Sequence, residues 1–194
     1  MKNTAVIILA AGASSRLGFP KQLVEWNGKP LLQGILEEMA QLQVEQKLLV
    51  LGAHHEQIRN EIHTADFQIV YNANWKEGMS SSIRIGLQTA LSLYPYLDHV
   101  LFLLSDQPYV DKELVKEILQ ASKKSSKSII ACVYKNTIGV PALFSKQHFL
   151  ALLSLTGDRG AGAYIKKHKD DIQQIEFELG IVDIDTPEDL KRLN

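Results

Sequence analysis

Short apolar runs recur along the chain at Ala5 to Leu9, Lys47 to Leu51, Gln68 to Tyr71, Val100 to Leu104, Ile129 to Tyr134, Ala142 to Phe144 and Gln174 to Phe177. Runs of this length, rich in Val, Ile and Leu and apolar on both alternating sets of positions, suit strands of a sheet covered on both faces. Between them the apolar spacing changes to that of a helix. Leu31, Leu32, Ile35, Leu36, Met39 and Leu42 form one stripe, Ile83, Leu87, Ala90 and Leu91 a second, and Leu114, Ile118 and Leu119 a third. The alternation predicts an α/β fold: a mostly parallel, twisted sheet in three layers, with helices on both faces and right-handed crossovers. The serine and lysine cluster at 123–128 ends a helix before the next strand, and no Pro/Gly-rich linker interrupts the series, so one domain spanning 1–194 is expected. In such sheets ligands bind beyond the carboxyl ends of the strands, and the residues after each apolar run are therefore the candidates for chemistry.

Composition narrows the function. With 21 Lys and Arg against 22 Asp and Glu among 194 residues, there is no net positive field to hold a nucleic acid backbone. The apolar stretch from Ala5 to Ala13 is broken by Gly12 and is much shorter than the ~20 residues that span a bilayer, so no membrane partner is expected. Lys2 followed by AVIILAAGAS imitates a signal peptide, but cleavage there would delete the first strand of the series, and a cytoplasmic protein is expected. The single Cys132 lies in the apolar run SIIACVY and reads as a packed core thiol.

The first strand runs into LAAGASSRLGFPK, Leu9 to Lys21. Small residues let backbone N–H groups approach an anion, and Arg16 and Lys21 add fixed positive charge, a combination that suits phosphate. The spacing is neither that of a Walker A loop nor that of the GxGxxG fingerprint. A plain glycine-rich turn with solvent-facing charges is the competing reading. As a loop charge with little core to support, Lys21 is expected to change stability by no more than about 0.5 kcal/mol on removal.

Two places supply carboxylates. Asp106 follows the run HVLFLL and points into the presumed crevice, unless it merely caps the next turn. In VDIDTPEDL, Asp183 and Asp185 alternate with Val182 and Ile184 along an expected strand end, which puts both on one face, and Thr186, Pro187 and Glu188 read as the start of a last helix. Asn72 follows the third strand, and N-capping accounts for one of Ser80, Ser81 and Ser82 at the next helix start. His54 and His55, adjacent on a helix, diverge too far to share a metal. Trp75 belongs to the core or borders a planar ring.

The segments LAAGASSRLGFPK, KQLVEWNGKPLL, NANWKEGMSSSIRIGL, LLSDQPYV, GVPALF, GDRGA and VDIDTPEDL together resemble the MobA-like nucleotidyltransferases that build molybdenum cofactor, within the nucleotide-diphospho-sugar transferase superfamily. Leu17 stands where that pattern has methionine, and LAAG matches the cytidylyltransferase branch where guanylyltransferases more often carry LAGG. The resemblance implies a Rossmann-like fold of that superfamily. It also implies a loop of Leu9, Ala10, Ala11, Gly12 and Ser14 around the nucleotide, with Arg16 and Lys21 on its phosphates. Asn72, Gly78 and Ser82 would stand beside the nucleoside, Asp106 and Asp185 would hold Mg²⁺, with Asp183 as second choice, and Gly139, Pro141 and Asp158 would form the acceptor side. The implied reaction moves CMP from CTP to the phosphate of a molybdopterin-type cofactor with release of pyrophosphate, in a protein that serves a client molybdenum hydroxylase. Catalysis would rest on Arg16, Lys21 and Asp106. One departure counts: the family writes GDxGAR where this chain has Gly162 last, leaving Arg159, Lys166 or Lys167 to replace the missing cation. Transfer of a guanylyl or other nucleotide to a sugar phosphate, or a non-catalytic carrier of nucleotide or cofactor, are the alternatives.

Overall fold

The computed structural model of the chain describes residues 3–158, 160–184 and 189. A seven-stranded sheet is formed by β1 (Thr4–Ala10), β4 (Gln46–Leu51), β5 (Gln68–Tyr71), β6 (His99–Leu104), β7 (Ile129–Tyr134), β8 (Thr137–Ser145) and β9 (Ile172–Glu176), in the order β5-β4-β1-β6-β8-β7-β9. A two-stranded ribbon, β2 (Glu25–Trp26) with β3 (Lys29–Pro30), stands apart. The helices are α1 (Leu31–Ala40), α2 (His55–Glu61), α3 (Met79–Leu93), α4 (Lys112–Lys124), α5 (Phe149–Leu153) and α6 (Gly160–Lys167).

β1 shows why the central runs carry no polar alternation. Val6, Ile8 and Ala10 pack with Leu32, Ile35, Leu36 and Met39 of α1 and with Val115 and Ile118 of α4. Ala5, Ile7 and Leu9 point the other way, onto Ile83 and Leu87 of α3 and Ile165 of α6. Each face of the strand thus has its own core, and every position is buried. Cys132 is fully buried in the first of these cores, where desolvation pushes its thiol up to about 12.

Two expectations need correction. The strict β-then-α rhythm fails after β7, which turns straight into β8 through Lys135 in the left-handed region (φ 51°). β8 runs antiparallel to both β6 and β7. Among the described residues it is the one reversed strand of the sheet, and it is much longer than the run from Ala142 to Phe144 that marked it. The expected strand end around Val182 and Asp183 is not a strand either. After β9 the chain makes a 3-10 turn at Glu178–Ile181, and residues 182–184 are irregular.

The connections place the crevice. From β1 the chain passes through α1 toward β4 on one side, and from β6 it passes through α4 toward β7 on the other, both helices lying on the same face. The loops after neighbouring strands β1 and β6 therefore diverge, which opens a cleft between their carboxyl ends.

Candidate active site

The loops on the two sides of this cleft are the two that the sequence singled out. On one side the loop after β1 is bound to its surroundings through its own backbone. Ala11 O accepts the Ala53 N–H (3.1 Å), and Ser14 O accepts from both Leu17 N (3.0 Å) and Gly18 N (3.2 Å). Ser14 takes a left-handed conformation (φ 51°), and its Oγ accepts the Lys21 N–H at 3.0 Å, closing the loop on itself. Leu17 is buried in a small cluster with Val24, Leu31 and Ile184, so the family's methionine is replaced here by another anchoring side chain.

On the other side, Asp106 sits in the turn after β6. The Lys21 ammonium crosses the cleft and donates to Asp106 Oδ2 at 2.5 Å, and both side chains are mostly buried (15% and 14% exposed). Lys21 is thus no loosely held loop charge. It joins the loops that follow two strands, and the premise that it has little core to support, on which the expected limit of about 0.5 kcal/mol rested, does not hold. Asp106 Oδ1 is buried and has no hydrogen-bond partner. The backbone carbonyl of Asp106 accepts the Ile184 N–H at 3.2 Å, which brings the chain leading to Asp185 against the Asp106 turn. Asp185 itself, like Arg159, Thr186, Pro187 and Glu188, lies outside the described residues. Among the described residues no group of three His, Cys, Asp or Glu side chains is arranged to hold a metal.

Two adjoining cavities open beside the loop. The first, of about 230 Å³, is lined by Leu9, Ala11, Gly12, Trp75, Ser82 and Asp158. The second, of about 240 Å³, shares Leu9 and Asp158 and adds Phe102, Tyr134, Gly139 and Lys166. Leu9, Ala11, Gly12 and Ser82 of the nucleotide set thus meet at one cavity, and Gly139 and Asp158 of the acceptor set meet at the other. Trp75 borders the first, as a ring-flanking residue would. Gly162 lines the second together with Lys166, so of the two lysines considered for the missing arginine it is Lys166 that reaches the cavity wall.

The remaining predicted residues do not line either of these two cavities. Ala10 is buried and contributes its carbonyl. Arg16 is exposed on the loop. Asn72, 3% exposed, donates to Ser81 Oγ (2.8 Å) and Ser82 Oγ (2.9 Å), holding the first turn of α3. None of the three serines is an N-cap. That position belongs to Gly78, and Ser81 Oγ donates to the Gly78 carbonyl instead. Gly78 has φ 93° and ψ −178°, a region essentially closed to other residues, and a Cβ there would strike Asp158. Pro141 is buried in β8, one residue beyond the cavity wall.

Three residues escaped the sequence reading. Gln22 is fully buried beneath the loop, with Nε2 donating to Ala10 O at 2.8 Å. Gln107 is buried and lies 3.3 Å from both Val140 O and Gly180 O, which ties the Asp106 turn to β8. The Tyr134 ring is fitted between Gly139 and Gly180, where a Cβ at either position would approach it within 2.6 and 2.7 Å. Burial, then the charge of Asp183, raises its phenol to about 12. A glutamine directly after the loop lysine, and a glycine interrupting the apolar run that follows Tyr134, were the available signals.

Comparison with known proteins fits this geometry. Residues 6–172 match the family described as MobA-like NTP transferase domain. The Nicotine blue oxidoreductase of Paenarthrobacter nicotinovorans is 27% identical, over 96% of this chain and 94% of its own. The Molybdenum cofactor guanylyltransferase of Vibrio parahaemolyticus is 28% identical, over 96% and 93%. The crystal structure of Rv0371c from Mycobacterium tuberculosis superposes with a TM-score of 0.80 at 27% identity, covering 98% of this chain and 96% of that one. The same protein has been crystallised in complex with manganese; this form superposes with a TM-score of 0.76 at 25% identity, covering 98% and 97%.

Proposed function

The chain belongs to the MobA-like NTP transferase family and is a nucleotidyltransferase; from that premise we propose that residues 1–194 act as one cytoplasmic domain that transfers CMP from CTP to the phosphate of a molybdopterin-type cofactor. The observation that carries this reading is the Lys21–Asp106 bridge across the cleft, set beside two cavities, one against the glycine-rich loop and the other against the predicted acceptor residues. An acceptor phosphate oxygen attacks the α-phosphorus, the bond to the β-phosphate bridging oxygen breaks, and pyrophosphate leaves. The acceptor is already anionic, so no side-chain nucleophile is needed, and the protein's part is to position two anions and offset their charge. Arg16 and Lys21 meet the phosphates of the nucleotide, Lys166 offers a cation to the acceptor, and Tyr134 offers it a hydroxyl donor.

The unpartnered Oδ1 of Asp106 and the approach of the 183–184 segment fit a divalent ion held by Asp106 and Asp185, with phosphate and water completing its shell. Magnesium bound there would offset the charge that builds up on the phosphates. The choice of CTP rests on Ala11, which lines the first cavity at the position where the guanylyltransferase pattern more often carries glycine. A relative named molybdenum cofactor guanylyltransferase favours GTP as the rival nucleotide, and the relative named nicotine blue oxidoreductase favours a redox reaction as a second alternative.

Pyrophosphate release, measured with Mg²⁺, purified molybdopterin cofactor and either CTP or GTP, tests the proposal. Release with CTP exceeding that with GTP supports it. Faster release with GTP assigns the guanylyl reaction, release only with a sugar phosphate moves the acceptor, and tight binding without release indicates a carrier.

A further inference from the structure

Gln22 lies in a 3-10 turn (Lys21–Leu23) directly after the loop, and its side chain runs back beneath it with no exposure to solvent. Its Nε2 donates to Ala10 O at 2.8 Å and lies 3.5 Å from Gly12 O. Its Oε1 is buried without a partner. Rotating the amide by half a turn would set oxygen against two carbonyl oxygens, so the orientation is fixed by the loop and the unpartnered acceptor follows from it. A buried carboxamide that satisfies only its donor side is a poor packing element, since a methionine would fill the same space without an orphaned oxygen.

What the carboxamide does achieve is control of peptide direction. In a planar trans peptide the C=O of one residue and the N–H of the next point opposite ways. Drawing the Ala10 and Gly12 carbonyls toward Gln22 therefore turns the N–H groups of Ala11 and Ala13 away from it, toward the open side of the loop. The Ala53 N–H holds the intervening Ala11 carbonyl at 3.1 Å, so three successive peptides are fixed by groups outside the loop. Ala11 and Gly12 line the first cavity.

We infer that Gln22 is a positioning residue for nucleotidyl transfer, holding the glycine-rich loop in the peptide orientation in which its N–H groups receive the triphosphate. The inference rests on the reading of that loop as the nucleotide site.

The test uses the whole protein and three probes, CTP, GTP and inorganic triphosphate, each titrated with Mg²⁺ against wild type, Gln22→Met and Gln22→Glu. Met keeps the length and removes the donor. Glu keeps the shape and places oxygen against the carbonyls. Both variants are expected to bind all three probes at least tenfold more weakly, because the loop meets the phosphates common to them. In pyrophosphate release the KM for nucleotide rises, while the KM for molybdopterin cofactor and the midpoint of thermal unfolding for Gln22→Met stay near wild type. A purely structural role would lower the midpoint and leave the affinity of the folded fraction intact. Wild-type affinity in either folded variant overturns the inference, and if one variant does not fold the other decides. Failure of the wild type to bind any probe would overturn the loop reading itself, and the inference with it.

Discussion

At the scale of single residues, the Lys21–Asp106 bridge predicts a larger loss of stability than the sequence alone would have suggested. Replacing Lys21 by methionine leaves Asp106 with neither oxygen satisfied in a mostly buried site, a loss of about 1–3 kcal/mol. Adding Asp106→Asn removes the stranded charge, so the double variant is expected to be less destabilised than the sum of the singles, and urea midpoints of the three proteins check this. His148 offers a second test. Its ring bridges Ser128 Oγ and Tyr164 OH, both at 2.8 Å, and burial, with His168 adding to it, holds its pKa below the ordinary histidine value. The folded protein therefore resists protonating this ring, and the unfolded chain binds more protons. The stability due to the neutral ring is complete above the unfolded value of about 6.5 and is lost as the pH falls through it. A urea midpoint that drops between pH 7 and 5.5, with a shallower drop in His148→Gln, is expected. Cys132 should resist iodoacetamide at pH 8 until the protein is unfolded, because only a thiolate reacts and burial holds the thiol near 12.

At the scale of elements, the start of α3 depends on a glycine that no capping rule would select. Gly78→Ala should cost about 1–3 kcal/mol through backbone strain, with the contact to Asp158 adding to the loss, and circular dichroism during thermal unfolding would register it. The sequence reading found this helix and its serines but assigned a serine as the cap. Capping preferences concern a helix end in isolation, whereas here Asn72 from the β5 side engages Ser81 and Ser82, and that contact is non-local. The same reason explains the other gaps. β1, β4 and β6 were legible because each is buried on both faces and its apolar run is continuous. β8 was half hidden because Gly139 and Pro141 interrupt its run, and its reversed direction leaves no mark in local composition. The loop after β1 and Asp106 were recognisable as segments with chemistry; that Lys21 faces Asp106 became visible only once β1 and β6 were neighbours.

At the scale of the whole molecule, the cleft exists because two adjacent strands send their chains in opposite directions, and the C-terminal segment returns to it through the Ile184 N–H bond to the Asp106 carbonyl. If Asp106 and Asp185 serve one ion, asparagine at either position should abolish most pyrophosphate release, and the double variant should be scarcely worse than the worse single. Additive losses of stability with normal Mg²⁺-dependent turnover would refute the shared ion. The small cluster of Leu17, Val24, Leu31 and Ile184 has a further consequence. It is separate from the two cores that cover the sheet, yet it fastens the glycine-rich loop to the irregular segment at 182–184. A satellite of so few side chains can part while the sheet stays intact, so amide protons at Leu17 and Ile184 should exchange with solvent through a shared local opening, much faster than those of β1. A nucleotide that grips the loop would close that opening from one end, and deuterium uptake should then slow in both segments together, although Ile184 lies far along the chain and need not touch the ligand.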